Sequence, residues 1–290
     1  MTKLEKPLPG ALMPTPKEVN DYDRVFFDYY KIDISDADIA RGTRTREKKK
    51  GNIESVDLLR YAIDKSFGAA VSYVQKQASI SESLKNDIKE YLHGVFIDIG
   101  ERERLTASKN YREWHEWICS QLIDKCISLK CKDDGSDAWT YGVSQKFVNL
   151  AIKYLVLFAK RGPENCETNL FRIGNVFLKE YNELDIPVDR YVIGSSWNYG
   201  AYNKPSSNFP ILPLRNENCD DKYRRVRFEP FNKRYYEGSN AVLKSWNNWN
   251  KDNYDNYTRS LHATFDAPLD WEGYAWTVGK ELFKSKKKSK

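Results

Sequence analysis

The sequence predicts a mainly α protein, with helices gathered about one central buried helix and long irregular loops towards the C-terminus. Three observations predict it. Apolar residues recur at steps of three and four, most cleanly at Trp114, Ile118, Leu122, Cys126 and Leu129, which is the spacing of one helix face. The run from about Val143 to Ala159 is apolar nearly all round in its second half, as expected of a helix enclosed by protein. From Gly194 to about Trp249 the chain is rich in Asn, Pro, Gly, Tyr and Trp without a steady period, the texture of long loops with room for a short hairpin.

Taken in order, Pro7, Pro9, Pro14 and Pro16 make the first twenty residues an extended arm, with a short helix over Asp21–Tyr30 after it. The basic run Arg41–Lys50 reads as a loop. Ile53, Val56, Leu59, Ala62 and Ile63 begin a helix that continues to about Gln75. A second helix spans Ser81–His93, where Ser81 is a good cap and Glu82 suits the positive end of the helix dipole. A third runs from Ser108 to about Leu129. Residues 132–137 form a turn before the central helix, Asn169–Tyr181 forms another helix, and two helices near Asn253–His262 and Asp270–Phe283 close the chain. The domain organisation expected is an arm and basic loop over 1–50, one helical domain over 51–285 and a basic tail over 286–290.

A length of 290 residues can bury a substantial core in one large domain or two small ones. The net charge of +6 is concentrated in Arg41–Lys50 and in the lysines of 284–290. Such tracts suit phosphate backbones, and they equally suit a solvated loop and a frayed tail. Residues Lys222–Tyr236 interleave charge with aromatics, a texture suited to nucleic acid. Aromatics reach 14%, with 19 Tyr and 8 Trp, which serves base stacking or plain core packing alike. Five cysteines without framework spacing, and no N-terminal apolar leader, point to a reducing, cytoplasmic setting. The three histidines are scattered and no C-x-x-C pair occurs, so neither a zinc site nor any other metal or cofactor is expected. His115, beside Trp114 and Trp117, reads as a packed or capping residue rather than a catalyst. The longest apolar run, Phe147–Ala159, is interrupted by Lys153 and too short to cross a bilayer.

Two segments carry chemistry. Gly142-Val143-Ser144-Gln145-Lys146 reads as a tight turn opening the central helix, and Ile186-Pro187-Val188-Asp189 as a turn that places a carboxylate before a further apolar stretch. Backbone N–H groups of Gly142, Val143 and Ser144 at a helix N-terminus would form a phosphate seat. A lysine in the following turn feels the same positive end, which disfavours its ammonium form and makes Lys146 a candidate amine nucleophile. The bland alternatives are that Lys146 snorkels from a buried helix and that Asp189 caps one.

These two blocks resemble the helix-hairpin-helix DNA glycosylases, and within them the 8-oxoguanine DNA glycosylase branch, whose hairpin reads Gly-Val-Gly-x-Lys and is followed by Val/Ile-Pro-Val-Asp. The sequence departs from that pattern at Tyr141, where the family usually has Pro, at Ser144, where it has the second Gly, and in a longer gap between Lys146 and Asp189. An inserted helix, Asn169–Tyr181, would fill that gap. The resemblance implies a helix-hairpin-helix glycosylase-like fold and a DNA glycosylase with AP-lyase activity in base-excision repair. Its partner would be double-stranded DNA with the target base flipped, and no membrane is implied. Lys146 and Asp189 would be catalytic, and Trp197, Tyr199 and Tyr202 would wall the base pocket. Two other classes also fit the residues: a hairpin protein that binds nucleic acid without chemistry, and a helical protein that binds a protein partner.

Overall fold

The structure is a computed structural model that describes residues 34–47, 53–163, 166–189, 192, 247, 249–264, 267–269 and 272. The N-terminal arm and its Asp21–Tyr30 helix, the Lys222–Tyr236 stretch, the closing helix expected over Asp270–Phe283 and the basic tail lie outside them, Glu272 apart. The chain divides into two compact units. One is 33–187, and the other joins 1–32 to 188–290. The division falls within the 51–285 stretch that the sequence reads as one domain.

The first unit is mainly helical. Its elements are α1 (Asp36–Arg41), β1 (Thr43–Glu47), β2 (Ile53–Asp57), α2 (Leu58–Gln77), α3 (Glu82–Arg102), α4 (Tyr111–Lys125), α5 (Tyr141–Arg161) and α6 (Asn169–Lys179). In the second unit, α7 (Lys251–Thr264) covers the helix expected near Asn253–His262. Among the described residues no helix is long and apolar enough to cross a membrane.

The basic run is not a plain loop. Arg41 ends α1, whose Ser35 cap and Asp38 form a reciprocal capping box, and Gly42 closes it at φ 68° in the left-handed region where glycine costs least. Thr43–Glu47 then pairs antiparallel with Ile53–Asp57, in register Thr43 to Asp57. β-branched residues at Thr43, Thr45, Ile53 and Val56 favour this extended pairing. The helix expected from Ile53 therefore starts later, at Leu58, where the Asp57 carboxylate accepts the Arg60 amide at 2.8 Å.

Helix α3 starts at its expected Ser81 cap but runs past His93 to Arg102. Gly94 and Gly100 do not stop it, because Ile88, Leu92, Phe96 and Ile99 keep one face buried across both. In α4 the predicted stripe from Trp114 to Leu129 is buried as expected, although the helix itself ends at Lys125. Two aromatic clusters lock the helices. Phe96, Trp114 and Phe177 join α3, α4 and α6, with ring centroids 5.4–6.4 Å apart. Phe67 meets Trp139 at 6.1 Å and Phe147 at 5.5 Å, joining α2 to the start of α5. Here the abundant aromatics are core.

Helix α5 is the centre of this unit, packing against α2, α4 and α6. Apart from Lys146, Leu150, Lys160 and Arg161 its residues are all buried. Its approach to α6 is close at Gly174, where an added Cβ would stand 2.6 Å from the Ala159 Cβ and 2.7 Å from the Leu155 carbonyl oxygen. The carbonyl belongs to the helix backbone and has no room to yield. Gly174→Ala is therefore expected to destabilise the protein by about 2–3 kcal/mol in urea or thermal unfolding, whereas unchanged stability would mean that α5 and α6 are not so tightly packed.

Candidate active site

The site predicted from sequence begins where α5 begins. Thr140 caps the helix from extended backbone, its hydroxyl accepting the Val143 amide at 3.3 Å, and its carbonyl accepts the Ser144 amide at 3.0 Å. Gly142, Val143 and Ser144 thus lie in the first turn of the helix rather than in a turn before it. All three are buried. The Val143 and Ser144 amides are engaged inside the protein, so the donors of these two residues are committed to the helix.

Ser144 uses its hydroxyl to accept the Trp139 indole N–H at 2.9 Å in the core. Lys146 follows in the second turn, half-buried, and shares with Leu150 the one strip between Tyr141 and Ala159 that is not fully enclosed.

A buried polar stripe runs beside Lys146, and the sequence reading missed it. Gln145, Asn149 and Lys153 recur at steps of four on a helix that is otherwise apolar, and all three are buried. Their regular spacing is the one signal of the stripe in the sequence, and the apolar majority of the segment masks it. Gln145 Nε2 donates to the Gly142 carbonyl at 2.7 Å, and its Oε1 accepts from Asn149 Nδ2 at 3.5 Å. Asn149 Nδ2 also donates to the Ile186 carbonyl at 3.0 Å, while its Oδ1 accepts the Tyr111 hydroxyl at 3.0 Å. The Tyr111 oxygen accepts the Asp185 amide at 3.3 Å. Burial, then the Asp185 carboxylate, pushes the Tyr111 phenol well above its ordinary range, so it remains a donor.

His115 is also buried, with its Nε2 3.7 Å from the Cys119 sulfur and its ring 5.7 Å from that of Tyr111 and 6.3 Å from that of Tyr141. This is the packed position expected from sequence. The cysteines Cys119, Cys126, Cys131 and Cys166 are free thiols. Among the described residues no cluster of three or more His, Cys, Asp or Glu side chains could hold a metal.

Asp189 belongs to the second unit. It is 5% exposed, and its Oδ1 accepts the Val192 amide at 3.2 Å, the i to i+3 geometry of a helix cap. The pocket candidates Trp197, Tyr199 and Tyr202 lie outside the described residues. Comparison with protein-family models, with curated proteins and with solved structures finds no match to this chain.

The Trp139–Ser144 bond gives a direct test of what the Ser144 hydroxyl contributes. Ser144→Ala keeps the Cβ and strands a buried indole N–H, at an expected cost of about 1–3 kcal/mol. Equal unfolding free energies for the two proteins would show that the hydroxyl is not needed there.

Proposed function

We propose that this protein is a DNA glycosylase with AP-lyase activity, with Lys146 as its amine nucleophile and Asp189 as the carboxylate that steadies the sugar cation. The observation that carries the reading is Lys146 itself: a lysine on the one partly open strip of an otherwise enclosed helix, near its N-terminal end. Partial exposure is what a lysine needs if a substrate is to reach its amine.

In the reaction, the Nζ lone pair attacks C1′ of the target nucleotide. The bond from C1′ to the base breaks, its electrons leave with the base, and the base takes up a proton. Opening of the sugar and loss of a proton from the amine give a Schiff base, a C=N bond between Lys146 and C1′. Removal of a proton from C2′ then expels the 3′ phosphate, and water hydrolyses the imine to free the lysine. A buried carboxylate stabilises the oxocarbenium-like transition state more strongly than one in water, and this is the role given to Asp189. Trp197, Tyr199 and Tyr202 are proposed as walls for the flipped base.

A non-catalytic nucleic-acid-binding protein is the second reading, and one observation favours it. The Val143 and Ser144 amides, which a phosphate seat would present, are already bonded to Thr140. Any phosphate at this end would be held chiefly by the helix dipole and by basic side chains.

The two readings separate in one experiment, incubation with duplexes carrying an abasic site or an oxidised, deaminated or hypermodified base in the presence of borohydride. The catalytic reading expects a covalent protein–DNA adduct that is lost in Lys146→Gln and forms about 10²-fold more slowly in Asp189→Asn. Salt-sensitive binding without an adduct, unaltered by Lys146→Gln, would establish the second reading and end the first.

A further inference from the structure

We infer that the cleft where α3, α4 and α6 meet binds a nucleoside monophosphate, independently of any role of Lys146, which does not line it. The cleft measures about 880 Å³, a size typical of small-molecule sites. Its walls are the end of α3, the loop over residues 103–110, Trp117 of α4 and the end of α6 at Val176, Lys179 and Glu180. Ring contacts among Phe96, Trp114 and Phe177 join the same three helices, so core packing holds the walls in place.

The loop is bent in an uncommon way. Glu103 at φ 52° and Ala107 at φ 64° are the non-glycine residues with left-handed backbone among the described residues, and both line the cleft. Glu103 ends α3, where that conformation is common, whereas Ala107 caps no helix. Left-handed backbone strains an L residue and persists only where the surroundings hold it. Ser108 supplies part of the hold, its hydroxyl donating to the Glu113 carboxylate at 2.9 Å and accepting the Asn110 amide at 3.3 Å.

Pairing sorts the charges on the lining. Arg102 is bonded to Asp98 at 2.6 Å and Glu103 faces Arg172 at 3.9 Å. Arg104, Lys109 and Lys179 form no ion pair and are exposed, and Glu180 is the lining acid left without one. Exposed cations alone describe a solvated surface. Beside the half-buried indole of Trp117 they form a set with two distinct chemistries. A simple anion uses only the cations, and a simple aromatic molecule uses only Trp117. A nucleoside monophosphate uses both, its phosphate on the cations, its base on the indole and its sugar hydroxyls donating to Glu180.

The test titrates the full chain with adenosine, guanosine, cytidine and uridine 5′-monophosphates, and with inorganic phosphate and adenosine as the two halves of the ligand. Binding is read by calorimetry and by tryptophan fluorescence. At least one monophosphate is expected to bind about tenfold or more tightly than either half. Arg104→Gln combined with Lys109→Gln is expected to weaken it about tenfold and to flatten its salt dependence. Trp117→Leu is expected to weaken it about fivefold or more, whereas Trp117→Phe keeps a ring, retains binding and loses most of the fluorescence change. Arg104 and Lys109 are exposed, so the double variant keeps its fold and decides the matter even if Trp117→Leu unfolds. Binding no tighter than that of phosphate or adenosine overturns the inference, as does binding indifferent to the double variant or to a folded Trp117→Leu. Binding of a single-stranded oligonucleotide without any binding of a mononucleotide overturns it as well.

Discussion

Helix α5 is enclosed on almost every side, and an enclosed helix imposes one strict demand: each polar group it carries must find its partner within the protein. Most of its surface meets the demand trivially, with Val148, Ile152, Leu155 and Phe158 turned into apolar neighbours. Ser144, Gln145 and Asn149 meet it by hydrogen bonding, to Trp139, to the helix's own first turn and to the Ile186 carbonyl. The position of the segment before Pro187 follows from that last bond. So does the need for Tyr111, whose hydroxyl satisfies the remaining oxygen of Asn149 and receives the amide of Asp185. Burying such a network stabilises little in net terms, but leaving any member unpaired is costly, which favours a single arrangement over its neighbours.

The helical architecture was legible because burial leaves a period in the sequence. The stripe from Trp114 to Leu129 and the apolar body of α5 needed only their spacing to be placed. The errors came where two local signals competed. Gly94 lies just past the expected end of the helix at His93, yet a glycine costs a helix only about 1 kcal/mol, and the buried face that continues through Phe96 and Ile99 outweighs it. At 43–57 the charges of Arg44 and Arg46 suit a loop, while the β-branched Thr43, Thr45, Ile53 and Val56 suit a strand pair, and the antiparallel pairing prevails.

The candidate site was legible in a different way. Lys146 and Asp189 stood out through their flanking Gly-Val and Pro-Val pairs, whereas Gln145, Asn149 and Tyr111 carry no motif. Their role comes from contacts between residues far apart in sequence, such as Tyr111 with Asn149 and Asp185, and no local pattern encodes those. The first turn of α5 also differs from its sequence reading for a physical reason. Thr140 caps the helix from extended backbone, so the helix starts at Tyr141 and draws Gly142 to Ser144 into its buried first turn. Lys146 consequently sits one turn from the helix end, where the dipole is weaker.

That places the weight of the account on the identity of one amine. Tandem mass spectrometry of peptides from borohydride-reduced protein–DNA complexes measures it directly, because reduction leaves a stable sugar remnant on the reacting nitrogen. The remnant is expected to map to Lys146. A remnant on Lys153 or on a lysine of the 284–290 tail would contradict it.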